Sequence, residues 1–251
     1  MNDIVGYIKQ RTGRTVTDAG VYKWVTEYTQ IALNGVKDDR PNVGNTWVAD
    51  ETVVKIAGQK YWCVAVIDQE SRFALATRIS RSRTARDIQI AFERAKERAG
   101  KSPKVVLTDG YVAYPEMVGL VFGEKTSHMP SKPFEGKAGQ DTNVVERWNS
   151  SLKEKHKVSR TFKSLKTANL NLQGWIFFYN YLRPHMSLED KTPAEVSGLK
   201  SPFSNWRDVV DTKTQKIRVI IKPESVTYRK REKPISKPKT RRVTNHDRVV
   251  M

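Results

Sequence analysis

Three apolar runs follow one another with only short turns between them: TWVADETVVKI from Thr46, YWCVAVIDQ from Tyr61 and RFALATRIS from Arg72. Gly58 and Gln59 separate the first two, and Glu70 and Ser71 the second pair. Runs rich in Val, Ile, Thr and aromatic residues read as strands, and such brief connections allow only antiparallel neighbours. The period then changes. Ile88, Ala91, Phe92, Ala95 and Ala99 recur at three- and four-residue spacing, which predicts a helix from about Thr84 to Ala99. KVVLTD reads as a short buried strand, YVAYPEMV as a short helix and LVFGEKTSH as a further strand. A Gly/Pro-rich loop from Pro130 to Gly139 precedes a helix over NVVERWNSSLKEKHK, and a second long helix runs from about Leu165 to Tyr181. The predicted order β-β-β-α-β-α-β-α-α describes an α/β domain, a mixed sheet flanked by helices on both faces.

Residues 1–34 are expected to be helical. A first helix around Ile4 to Gln10 leads through RTGRTVT to a second, in which Val21, Trp24, Val25, Tyr28 and Ile31 form an apolar stripe and Thr17 or Asp18 is the N-cap. This is the outline of a helix-turn-helix, with Tyr22 and Lys23 on the face available to DNA. The competing reading is a plain helical hairpin packed on the main domain. Residues 35–45, GVKDDRPNVGN, have no periodicity and read as a linker. The central domain is expected over 46–199, and residues 200–251 form a basic C-terminal extension.

The formal net charge is +18, with a pI near 9.9, a balance suited to a polyanionic partner. The charge is concentrated late: Lys213 to Arg248 holds 13 Lys or Arg against 3 Asp or Glu. Its last part, RKREKPISKPKTRRVTNHDR, carries Arg229, Lys230 and Arg231 as candidate phosphate contacts and too few apolar residues to fold alone. Upstream, KIRVIIKP is a strand candidate. No apolar run approaches the ~20 residues that span a bilayer, and no signal-peptide pattern opens the chain. The single cysteine, Cys63, excludes an internal disulfide and reads as a small buried hydrophobe. A soluble, cytoplasmic, nucleoid-associated protein of a prokaryote is the expectation.

Three acids stand in settings where they could converge: Asp50 inside the first strand, Asp109 at the end of KVVLTD, and Glu146 on a helix. Two Asp on neighbouring strands and a Glu on a helix make an all-oxygen set that suits Mg²⁺ or Mn²⁺. Each has an ordinary explanation too. Asp50 could be a polar residue on an exposed strand face, Asp109-Gly110 a turn, and Asn143 with Glu146 a capping box. The helix pattern favours a site. Val145, Trp148 and Leu152 share one side, while Glu146, Ser150, Lys153 and Lys157 share the other. A carboxylate for metal and cations for phosphate on one face suit a helix that runs beside DNA. Glu51 carries less weight, because alternation along the strand places it with Trp47 and Ala49, opposite to Asp50. Asp68 reads as a turn residue, His185 as structural, and His128 and His156 lack partners at metal-ligand spacing.

WVADET, VVLTDG, NVVERWNSSLKEKHK, RTFKSLKTA, FFYNYLRPHMSL and KTPAEVSGL occur in that order, with 58 residues between the two Asp and 36 between Asp109 and Glu146. From about Thr46 to Gly198 the chain resembles the catalytic core of DDE transposases and retroviral-type integrases. It is most similar to prokaryotic insertion-sequence transposases of the insertion-sequence-six group, particularly archaeal members. TVTDAGVYKWVTEY likewise resembles the recognition-helix segment of transposase DNA-binding modules. The resemblance implies a ribonuclease H-like fold and Asp50, Asp109 and Glu146 as the triad holding two Mg²⁺ or Mn²⁺ ions. It implies cleavage and strand transfer on DNA, both transposon ends and target, by a homodimer or larger assembly. It also gives Lys153 as the residue contacting the transposon end. A domesticated DNA-binding regulator that keeps the fold without catalysis is the alternative.

Overall fold

A computed structural model of the chain describes residues 2–130, 143–158 and 162–221. Its centre is a five-stranded sheet in the order β3-β2-β1-β4-β5. The longest strand, β1 (Thr46–Ile56), pairs antiparallel with β2 (Gln59–Asp68), which pairs antiparallel with β3 (Ala74–Ser80). Ala57 and Gly58 close the first hairpin with φ of 49° and 78°. Two successive positive φ values match the right-handed twist of the flanking strands. On the other side, β4 (Val105–Thr108) and β5 (Ser127–Pro130) add in parallel. The observed order of strands and helices in the central domain is the expected one.

Alternation along β1 divides the interior in two. Trp47 and Ala49 face a core shared with α3 (Ala85–Ala99) and α4 (Tyr114–Phe122). Val48, Val54 and Ile56 face a second core, filled from α5 (Asn143–Val158) and α6 (Leu165–Phe177). Helix α3 is held at both ends. The Thr84 side chain accepts from the Asp87 N–H, and Gly100, at φ 67°, takes the left-handed position that ends the helix. On α5 the expected inward residues Val145, Trp148 and Leu152 are buried, and Trp148 meets Trp175 of α6 edge-on at 5.0 Å. The α6 helix continues as a π-helical turn, Phe178–Leu182, where the buried Asn180 side chain bonds both the N–H and the C=O of Ala74 and secures the outer strand. Cys63 is buried, which pushes its thiol up to about 12.

The N-terminal helices are α1 (Asn2–Thr12) and α2 (Asp18–Gly35), the latter capped by Thr17. Val21, Thr29 and Ala32 of α2 are buried, and Gly174 of α6 lies so close that a Cβ there would be 3.0 Å from the Thr29 hydroxyl. Trp24 and Val25, expected in the inward stripe, stay 40% and 41% exposed. A last helix, α8 (Trp206–Ile221), buries Val209 against the first core and pairs Lys213 with Glu27 of α2 at 2.6 Å. The strand expected over KIRVIIKP is not formed: Lys216 to Ile221 are the closing turns of α8. Asn205 and Asp208 supply side-chain acceptors at its start, and once a helix is nucleated each further residue adds a hydrogen bond against the modest propensity cost of β-branched side chains. α7 (Pro193–Val196) carries a capping box between Thr192 and Glu195. No helix among the described residues is long and apolar enough to cross a membrane.

Candidate active site

The parallel partner of β1 stops early. β4 pairs only with Thr46 to Val48, so β1 runs on past it with one open edge. Asp50 and Glu51 stand on that edge, and Asp109 follows the last residue of β4. Carboxylate oxygens of all three lie within 4.8 Å of one another. The expectation that alternation would keep Glu51 away from the site is therefore corrected. Its backbone does lie on the opposite phase of the strand, but with no neighbouring strand in the way a long side chain reaches the same edge.

The three carboxylates are held differently. Glu51 is locked: Arg83 donates to it from Nε at 2.9 Å and from Nη2 at 3.2 Å, and the Tyr114 hydroxyl donates at 2.7 Å. Arg83 also donates to Asp109 Oδ2 at 3.3 Å, and its guanidinium lies over the Tyr111 ring at 3.7 Å. The second oxygen of Asp109 accepts from the Tyr111 N–H at 3.0 Å, which sets its orientation within its own turn. Asp50 is approached from the other face of the sheet, where the Asn149 amide of α5 donates to Oδ2 at 2.7 Å. Burial, with the nearby charges of Asp109 and Glu51, raises the Asp50 carboxyl from 3.8 to about 6. Burial likewise lifts Tyr114 well above 10, so its phenol remains a donor to Glu51.

These donors suit a hard divalent cation. They are all oxygens, they converge from one open edge, and like charges this close repel unless a cation lies between them. Asp50 and Asp109 are the better ligands, since both Glu51 oxygens already accept from Arg83 and Tyr114. Glu146 is exposed on the first turn of α5 and is not one of the three converging carboxylates. It sits three residues before Asn149, hence on the adjoining stretch of the same helical face. Lys153 is exposed one turn beyond Asn149. The side chain of Lys157, and Arg229, Lys230 and Arg231, lie outside the described residues. Lys23 is exposed on α2, and the Tyr22 hydroxyl lies 3.4 Å from that of Thr167 on α6.

Residues 44–185 match a family described as a DDE domain, more than half of the 251 residues. The chain belongs to the DDE-domain family of transposases. Among solved structures it is similar to the simian T-cell lymphotropic virus intasome in complex with PP2A regulatory subunit B56 gamma. That match has 19% identity and a TM-score of 0.50, and covers 64% of this chain and 57% of that one. The HTLV-2 integrase catalytic core in complex with magnesium matches at 21% identity over 63% of this chain and 97% of that one, with a TM-score of 0.47. The BIV integrase catalytic core matches at 15% identity over 69% and 99%, with a TM-score of 0.45. The chain thus spans 57% of the length of the first of these structures. No curated protein matches it. The shared architecture is the ribonuclease H-like sheet expected from the element order.

Sequence reasoning about this DDE domain missed Arg83, Tyr114 and Asn149. Asn149 was within reach of it, because it follows Glu146 by three residues on a helix already assigned to the site. Arg83 and Tyr114 were not, since no local pattern links them to Glu51, 32 and 63 residues away.

Proposed function

We propose that the protein is a metal-dependent DNA transposase that cleaves at transposon ends and joins them to target DNA, moving an insertion sequence of the insertion-sequence-six group. The observation that carries this reading is the convergence of Asp50 and Asp109 at the open edge between β1 and β4, within a DDE domain. Asp50, Asp109 and Glu146 form the proposed ligand set, for two Mg²⁺ or Mn²⁺ ions. Divalent cations bound there supply Lewis acidity and lower the pKa of the attacking oxygen.

The side chains prepare the site. Asn149 fixes the Asp50 carboxylate, and the Tyr111 N–H with Arg83 fixes that of Asp109. In the first step a water oxygen attacks phosphorus, the bond to the 3′-oxygen breaks, and a 3′-hydroxyl is released. In the second, that 3′-oxygen attacks a target phosphodiester while the target's own 3′-oxygen leaves. One phosphodiester replaces another, so no ATP is required.

We assign Lys153, exposed on α5, and Lys157 to contacts with the transposon end. Tyr22 and Lys23, in a helix-turn-helix spanning 1–34, contribute to end recognition. Arg229, Lys230 and Arg231 of the basic extension add contacts to phosphate that carry no sequence information. The active form is a dimer or larger assembly on DNA, in a nucleoid-associated setting.

The test uses duplexes carrying the inverted repeats that flank the gene. With Mg²⁺ or Mn²⁺ the protein should nick at the repeat end and form a joined product, and Asp50→Asn and Asp109→Asn should abolish both. Metal-dependent nicking that never yields a joined product would make it a nuclease instead.

A further inference from the structure

A groove of about 830 Å³ runs along the outer flank of α5, between that helix, the turn joining β2 to β3, and the segment that follows the π-helical turn. Each of these elements contributes one arginine: Arg147 from α5, Arg72 from the turn and Arg183 from the last segment. Among the described residues none of the three is paired with a carboxylate, and Glu154 is the only acid on the lining. Three guanidinium groups and a single acid on the lining give the groove a positive surface that suits an anionic occupant.

The backbone supports the same conclusion. Arg72 has a φ of 64°, in the left-handed region where glycine or asparagine is the low-strain occupant. Arg183 directly follows the π-helical turn Phe178–Leu182, a conformation concentrated at functional positions. Arg72 and Arg183 line the groove together with Tyr179 and His185. Burial first, and then the charges of Arg183 and Arg72, hold His185 below its ordinary value. The large aromatic residues of the lining, Trp148 and Tyr179, are buried at 1% and 5% exposure, and His185 meets the Tyr179 ring edge-on at 4.6 Å. They offer no open face on which an unpaired base could stack, which favours a duplex backbone over a single strand.

The groove also lies next to the site. Asn143, Arg147, Ser150, Ser151 and Glu154 form one stripe of α5 at spacings of three and four. Glu146 lies about a quarter turn around the helix from that stripe, and Asn149, which holds Asp50, about two-fifths of a turn. Groove and carboxylates are therefore separated by roughly one helix diameter, ~10 Å.

We propose that Arg72, Arg147 and Arg183 form a phosphate-binding groove for the backbone of the duplex whose scissile phosphate lies at the carboxylates, about one helix diameter (~10 Å) away. This rests on the DNA reading above. Arginine suits the task, because its planar fork engages a phosphate through two hydrogen bonds.

The experiment measures affinity for a labelled duplex against salt between about 50 and 200 mM, for the wild type and for Arg72→Gly with Arg147→Gln. Glycine suits the φ of position 72 and residue 147 is exposed, so the variant should fold; Mn²⁺ affinity without DNA should equal that of the wild type. Each lost phosphate contact should make the log–log slope shallower by about 0.9, so the double variant should lose about two units. Affinity at the lowest salt should fall by roughly tenfold or more on every sequence. Should the double variant fold poorly, Arg147→Gln alone should give half the slope change. A wild-type slope in a variant that still binds duplex DNA would overturn the groove and leave the DNA reading intact. A changed slope on duplex RNA only would overturn it as well. A wild type with no salt-dependent duplex binding would overturn the DNA reading itself, and the groove with it.

Discussion

The Asn149 amide of α5 donates to Oδ2 of Asp50 on β1 at 2.7 Å, joining two residues 99 positions apart in the chain. This bond aligns a carboxylate whose burial would otherwise favour its protonated form. Partners that orient a metal ligand typically contribute 10–100-fold to metal affinity or activity. Asn149→Ala should therefore weaken Mn²⁺ binding by about that factor while leaving the far-ultraviolet spectrum unchanged. Titration calorimetry decides it: wild-type affinity in Asn149→Ala would reduce the bond to a packing detail.

The Asp50 carboxyl sets a pH dependence whose sign is fixed. Burial and the charges of Asp109 and Glu51 place it at about 6 in the folded chain, against 3.8 unfolded. Between these values the native state binds more protons than the unfolded one, so stability without metal falls as pH rises through that window. Melting in chelator should show a loss between pH 4 and pH 6 that Asp50→Asn removes. Divalent ions need the ionised form, so their affinity should climb through about pH 6 and level off above it. A metal affinity flat across that range would contradict the assignment.

Asp50→Asn, Asp109→Asn and Glu146→Gln each remove a proposed ligand charge at nearly constant shape. Each should abolish cleavage and joining with DNA binding retained, and a double variant should be no worse than a single one, because the set acts as a unit. Lys153→Glu should impair joining of an end duplex while Mn²⁺ binding without DNA persists. Glu51→Gln is not a neutral control. It weakens the contacts with Tyr114 and with Arg83, which also braces Asp109, and should lower stability by roughly 1–3 kcal/mol. Full strand transfer by Glu146→Gln with Mg²⁺ would remove Glu146 from the ligand set.

The sheet, its flanking helices and the prominence of Asp50 and Asp109 were readable because each rests on a local signal: a strand period, a turn, an acid ending an apolar run. Glu51 was misplaced for a reason beyond local pattern. Strand alternation assumes neighbours on both sides, and β4 pairs with β1 only as far as Val48. KIRVII was read as a strand because β-branched residues are prominent in it, while the capped start of α8 at Asn205, well upstream of Lys216, decided its conformation. Arg83 and Tyr114 were invisible because their partner is brought to them only by the tertiary fold.

The N-terminal helices can be tested only if their two contributions are separated. Helix α2 is part of the core packing: Val21 and Ala32 are buried, Thr29 lies against Gly174, and Glu27 pairs with Lys213 of α8. Deleting residues 1–34 would expose these apolar surfaces, and lost end recognition could not be told from lost folding. Among its described residues α1 has none that is buried, so deleting α1 alone should shift Tm by only a few degrees. Gly174→Leu should instead force α2 and α6 apart and cost about 1–3 kcal/mol or more, as overpacking at a close helix contact does. Recognition is then probed on the exposed face. Lys23→Glu should reduce the ratio of affinities for repeat-end and random duplexes without moving Tm, because Lys23 is exposed. An unchanged ratio in both Lys23→Glu and the α1 deletion would make these helices a scaffold and place end recognition elsewhere in the chain.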